Sequence, residues 1–144
     1  MAAADDKTTP TIVSPHAFIA GLDDGRRKRE AEILLRWFET VTGLKGRMWG
    51  PSMIGFGRYH DKYDSGREGE SMITGFAPRK AALTLYIKPG YRGMSEMLAR
   101  LGPHRTGKSC LFLNRLDAVD MDVLAEIVAD GVAHMRANCE TWDA

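Results

Sequence analysis

The sequence is poor in three things, and each shortage closes off a class of protein. Cysteine occurs twice, at Cys110 and Cys139, without a Cys-x-x-Cys spacing. A disulfide scaffold is therefore not expected, and two reduced, mostly buried thiols are the plain reading. Charge of one sign is also missing, since 20 Lys and Arg face 19 Asp and Glu for a net charge of +1. Such a balance gives no global pull toward nucleic acid or an anionic membrane; only a local patch could do that work. No apolar run approaches the roughly 18 residues of a membrane span. The opening MAAADDKTTP holds no apolar stretch able to serve as a secretion signal. A cytoplasmic protein without a membrane partner is the expectation.

What is present suits one globular domain, because 144 residues that are 44% hydrophobic can bury a real core. Residues 1–12 are small, polar and aperiodic and are expected to form a flexible tail, leaving 13–144 as the domain. Ser14-Pro15 signals a helix start, with Phe18, Ile19 and Leu22 inward. Asp23 and Asp24 can cap a longer helix in which Ala31, Leu34, Leu35, Phe38 and Val41 repeat at helical spacing, ended by Gly43. Strands are predicted at 53–60, 71–76 and 82–88, joined by DSGREGE and APRK into two hairpins. In LTLYI, Leu83, Leu85 and Ile87 share one side and Thr84 and Tyr86 the other, which suggests one covered face and one partly open face. Met94, Met97, Leu98 and Leu101 mark a short helix, and Cys110–Leu113 a fourth strand. Asp120 can cap a last helix with Leu124, Ile127, Val128, Gly131 and Met135 inward.

Residues 102–109, GPHRTGKS, match the phosphate-loop pattern G-x-x-x-x-G-K-[ST] at every fixed position. That loop needs a strand before it and a helix after it, so that backbone N–H groups converge on phosphate. Here a helix precedes and a strand follows. The match reads as a helix stop, a turn and a strand start, and nucleotide hydrolysis is not expected.

Four strings carry a resemblance: MWGPSMIGFGRYH (48–60), DSGREGE (64–70), TGFAPRKAALTLYI (74–87) and LGPHRTGKSCLFLNRLDAVDMDVL (101–124). Through them the chain resembles the YdhG-like family of domains of unknown function. The resemblance implies the α/β fold (α+β type) of the YdhG, YjbR and CyaY-like superfamily, similar to frataxin. The expected order is ααβββαβα, with a mainly antiparallel four-stranded sheet covered by helices on one face. The resemblance also implies GKSC as a feature at a strand start, and an iron-chaperone role as the alternative function. Asp61, between Tyr59 and Tyr63, stands where relatives often carry another aromatic.

Iron delivery needs oxygen ligands, yet the long helix opens with RRKRE (26–30), which would repel ferrous ion. That basic cluster is either a solvated helix face, offset by pairs such as Arg26 with Glu30, or a docking site for an acidic partner. His60, Asp61 and Asp64 are weak metal candidates without a recognised ligand spacing. Cys110 lacks a base, the four histidines are scattered, and no catalytic residue is assigned. The remaining feature is a surface. Gly55 and Gly57 remove two side chains from one face of a strand, for a bulge, for packing, or for close approach by a ligand. With Trp49, Tyr59, Tyr86, Arg79 and Lys80 they make the candidate ligand-binding set. The expected function is a non-catalytic module binding a small anionic or planar ligand or a protein partner, with no cofactor; a homodimer closing the same face is a further reading. Nucleic acid is disfavoured. Gly57→Val is expected to block a ligand and spare the fold, unless Gly57 holds a positive φ.

Overall fold

The computed structural model describes residues 11–62, 68–88, 90–91 and 93–143, with the backbone alone at 61, 62, 68 and 69. Two helices come first, α1 (Pro15–Ala20) and α2 (Gly25–Thr42). Six strands follow: β1 (Gly46–Trp49), β2 (Met53–Phe56), β3 (Arg58–Lys62), β4 (Glu68–Ser71), β5 (Thr74–Pro78) and β6 (Leu83–Ile87). Helix α3 (Ser95–Leu101) leads to β7 (Arg105–Thr106) and β8 (Cys110–Leu113). A 3-10 turn at Leu116–Ala118, helix α4 (Met121–Asn138) and β9 (Glu140–Trp142) complete the chain.

Helices α1, α2 and α4 begin where a side chain can satisfy their first N–H groups. Ser14 accepts from His16 N ahead of Pro15, Asp24 from Arg26 N and Arg27 N, and Asp120 from Asp122 N and Val123 N. Gly43, in the left-handed region, ends α2. The inward stripes follow the predicted spacing, except that Val41 of α2 is only half-buried. Ala31, Leu34, Leu35 and Phe38 of α2 and Leu124, Ile127, Val128, Gly131 and Met135 of α4 are buried.

Every strand pairing among the described residues is antiparallel. The main sheet has the order β1-β2-β5-β6-β8-β7, and a smaller one the order β4-β3-β9. Register places Met48, Ile54, Phe76, Leu85 and Leu111 in one row across the main sheet. That row joins the α2 and α4 stripes in a single core. Its centre is a stack of three rings, with Phe38 of α2 4.9 Å from Phe56 and 5.5 Å from Phe76. Leu85 is fully buried, as the alternation in LTLYI predicts, and the apolar run 110–113 forms the expected strand.

The four-stranded sheet and the order ααβββαβα are corrected. Three short strands, β1, β7 and β9, carry too little pattern to be read from sequence. The expected long strand at 53–60 breaks at Gly57, whose φ of +71° re-aims the chain out of the main sheet. Its partner breaks at Met72–Ile73, between β4 and β5. The two outer halves, β3 and β4, form the small sheet, onto which β9 docks through pairs such as Tyr59 with Thr141. The 1–10 part of the expected tail, together with Tyr63 and Asp64, lies outside the described residues.

Candidate functional site

The second face of the main sheet carries the row Arg47, Gly55, Gly75, Tyr86 and Cys110. Sequence reasoning leaves this face open for a flat ligand. The structure fills its middle. Trp49 is only 2% exposed, and a Cβ on Gly55 would lie 2.5 Å from its Cδ1 and 2.6 Å from Met72 Sδ. The same sulfur lies 3.0 Å from a Cβ placed on Gly75. The paired glycines thus make a slot for the chain's own methionine and tryptophan. Gly57 faces inward instead, where a Cβ would meet Ile73 Cδ1 at 2.6 Å and Leu44 Cδ1 at 3.0 Å. Its positive φ removes the expectation that Gly57→Val would spare the fold.

The other predicted site residues separate. Tyr59 and Tyr86 share a neighbour, because Lys88 Nζ lies 5.9 Å from both ring centroids. Arg79 donates to the Tyr86 hydroxyl at 3.3 Å, while Arg58 stacks over Trp49 at 5.7 Å. Lys80 is exposed, and its carbonyl accepts from Arg27 Nη2 at 3.5 Å. Cys110 and Cys139 are half-buried rather than mostly buried. Among the described residues, no three His, Cys, Asp or Glu side chains gather to hold a metal ion. His60 is described, but Asp64 and the side chain of Asp61 are not. Around GPHRTGKS, α3 precedes, β7 lies within the string and β8 follows, with Gly107 N donating to Cys110 O at 2.8 Å. Lys108 and Ser109 lead into β8, so they open a strand where a phosphate loop would open a helix.

A different concavity opens beside the start of α2. The expected Arg26–Glu30 pair is replaced by Arg27 with Glu30 at 2.8 Å, both buried. Glu30 also accepts from Leu116 N at 2.8 Å, and Arg27 Nη1 donates to Asn114 O at 3.4 Å. This inward pair fastens α2 to the chain between β8 and α4. Arg26, Arg29 and Ile33 then follow one another on the outward side at helical spacing. Together with Arg115, Leu116 and Met121 they line a groove of about 430 Å³, within the range of small-ligand sites. Its floor is apolar, and Ile33 is 55% exposed on it.

The charges in the groove do not cancel. Arg115 is held by Asp117 through two bonds of 3.1 Å, which lower the Asp117 carboxyl below the usual carboxylate range. Glu30 is committed to Arg27. Arg26 and Arg29 form no ion pair or side-chain hydrogen bond among the described residues, although Arg26 lies within electrostatic reach of Asp24 and Asp117. Because Asp24 occupies the first N–H groups of α2, attraction for an anion comes from the guanidinium groups more than from the helix end. Sequence reasoning names RRKRE but misses Arg115 and Met121, which lie about ninety positions away in a connection without motif. The signal available is Ile33, a lone large apolar residue on the charged side of α2. No family model, curated protein or solved structure matches the chain.

Proposed function

We propose that the protein is a non-catalytic binding module whose groove takes a small anion with a planar or apolar body. The observation that carries this reading is the unpaired state of Arg26 and Arg29 above a floor of Ile33, Leu116 and Met121. Guanidinium groups meet carboxylate or phosphate in a fork, and the apolar floor takes up the rest of the ligand. The site therefore differs from the glycine–aromatic face to which the sequence points, while the class of ligand stays the same. The proposal keeps the YdhG-like resemblance on the strength of the quoted strings, with the small sheet as an elaboration of that fold.

Calorimetry with a panel of aryl carboxylates and aryl phosphates tests it. A saturable ligand should lose on the order of tenfold or more in affinity with Arg29→Ala, since a charge-assisted hydrogen bond contributes about 1.5–3 kcal/mol. The variant's unliganded melting temperature should stay close to the wild type, because Arg29 is exposed and unpaired. Binding unaffected by Arg26→Ala and Arg29→Ala together would remove the groove. Ferrous-iron binding abolished by replacing Asp61 and Asp64 would instead favour the frataxin-type alternative.

A further inference from the structure

Lys88 follows β6 in surroundings that no lysine needs for solubility. Its Nζ lies 3.3 Å from Ser71 Oγ of β4 and 5.9 Å from the rings of Tyr59 of β3 and Tyr86 of β6. Cys110 of β8 sits opposite Tyr86 in the ladder and within electrostatic reach of Lys88. No carboxylate pairs with Lys88 among the described residues. Lys45, Lys80 and Lys108 are exposed; half-buried Lys88 has, among the described residues, two rings, a hydroxyl and a thiol within reach.

We propose that Lys88 is a nucleophilic amine site for carbonyl compounds, with a planar aldehyde or ketone held beside Tyr59 and Tyr86. The reaction is closed in atoms and charge. The Nζ lone pair attacks the carbonyl carbon, an amine proton passes to the oxygen, and a carbinolamine forms. Loss of water then leaves an imine on Lys88. No oxidant or metal is needed.

The physical basis is the competition between burial and the rings. Taking an ammonium out of water disfavours its charged form, whereas aromatic faces attract it. Both rings are at the edge of the distance over which that attraction counts. Burial prevails and pushes Lys88 below the ordinary lysine value, although the Cys110 thiol works the other way. More of the amine is then free at neutral pH, the condition that makes a lysine a nucleophile. Ser71 can steady the nitrogen without donating a charge. The inference is independent of the arginine groove, which shares none of these residues.

The test uses the whole chain with benzaldehyde and cyanoborohydride near neutral pH, followed by peptide mapping. Reduction fixes each imine as a benzylated lysine. Lys88 should be labelled on the order of tenfold faster than Lys45, Lys80 or Lys108, and its labelling should level off at lower pH than theirs. Cys110→Ser should keep the selective label, since the thiol flanks the site and does not form the bond. Lys88→Arg should lose it at an unchanged melting temperature, because arginine keeps the cation but does not condense. Labelling of Lys88 no faster than the other three lysines overturns the proposal. So does an identical pH profile at all four positions.

Discussion

The two faces of the main sheet are made by the same strands and are closed by different means. On one, α2 and α4 lay their apolar stripes over the row from Met48 to Leu111, and the Phe38–Phe56–Phe76 stack fills the middle. On the other no helix is needed. Two facing glycines leave a slot, and Trp49 and Met72 fill it. The first face is closed by large side chains meeting across layers, the second by missing side chains that let neighbours fold in. A glycine pair in a strand is thus ambiguous between a ligand's space and the protein's own. Here Met72 decides it.

The difference predicts unequal responses to substitution. Phe38→Ala removes the central ring of the helix-covered face, and the loss of a buried aromatic typically costs about 3–5 kcal/mol. Urea unfolding should show that loss as a lower midpoint with an unchanged slope. Gly57→Val attacks the hinge between the sheets. A non-glycine residue at positive φ costs roughly 1–2 kcal/mol, and overpacking against Ile73 and Leu44 adds about 1–3 kcal/mol. The variant should melt lower than wild type in the same assay. It should leave the arginine groove's affinity unchanged when measured below its melting temperature. A Gly57→Val variant as stable as wild type would mean that β2 and β3 can run on as one strand.

Much of the helix-covered face is legible in the sequence, and little of the groove is. Alternation in LTLYI and helical spacing in α2 are local signals that burial enforces residue by residue, so Leu85 and Phe38 can be placed without a structure. Gly57 is harder, because a strand pattern does not show the sign of φ. The choice of Arg27 over Arg26 as partner of Glu30 is harder still. It depends on Leu116 and Asn114, far along the chain, which turn one arginine inward and leave its neighbours outside. Lys88 reads as the end of a strand, and only the fold of β3 and β4 brings Tyr59 and Ser71 to it.

The smallest effect is expected at Tyr91, which follows β6, packs against the main core and lies within electrostatic reach of Cys110. Its hydroxyl is buried without a hydrogen-bond partner among the described residues. Burial, with the Cys110 thiol adding to it, holds the phenol well above its ordinary value. The sign follows from proton counting. Above about pH 10, the ordinary phenol value, the unfolded chain gives up this proton while the fold retains it, so stability falls as pH rises. Lys88 acts oppositely. The unfolded chain holds its proton more tightly than the fold does, so stability rises with pH until the ordinary lysine value is reached. Tyr91→Phe separates the two. At neutral pH it should change stability by no more than about 1 kcal/mol, in the stabilising direction, because an unpaired hydroxyl is removed with little change of shape. Above about pH 10 the variant should lose less stability than wild type, and adding Lys88→Met should flatten the rise below that point. Identical alkaline slopes for wild type and Tyr91→Phe would show that the phenol is as well hydrated in the fold as outside it. The core would then be open to water at its edge after β6, while its centre at the Phe38 stack stays closed.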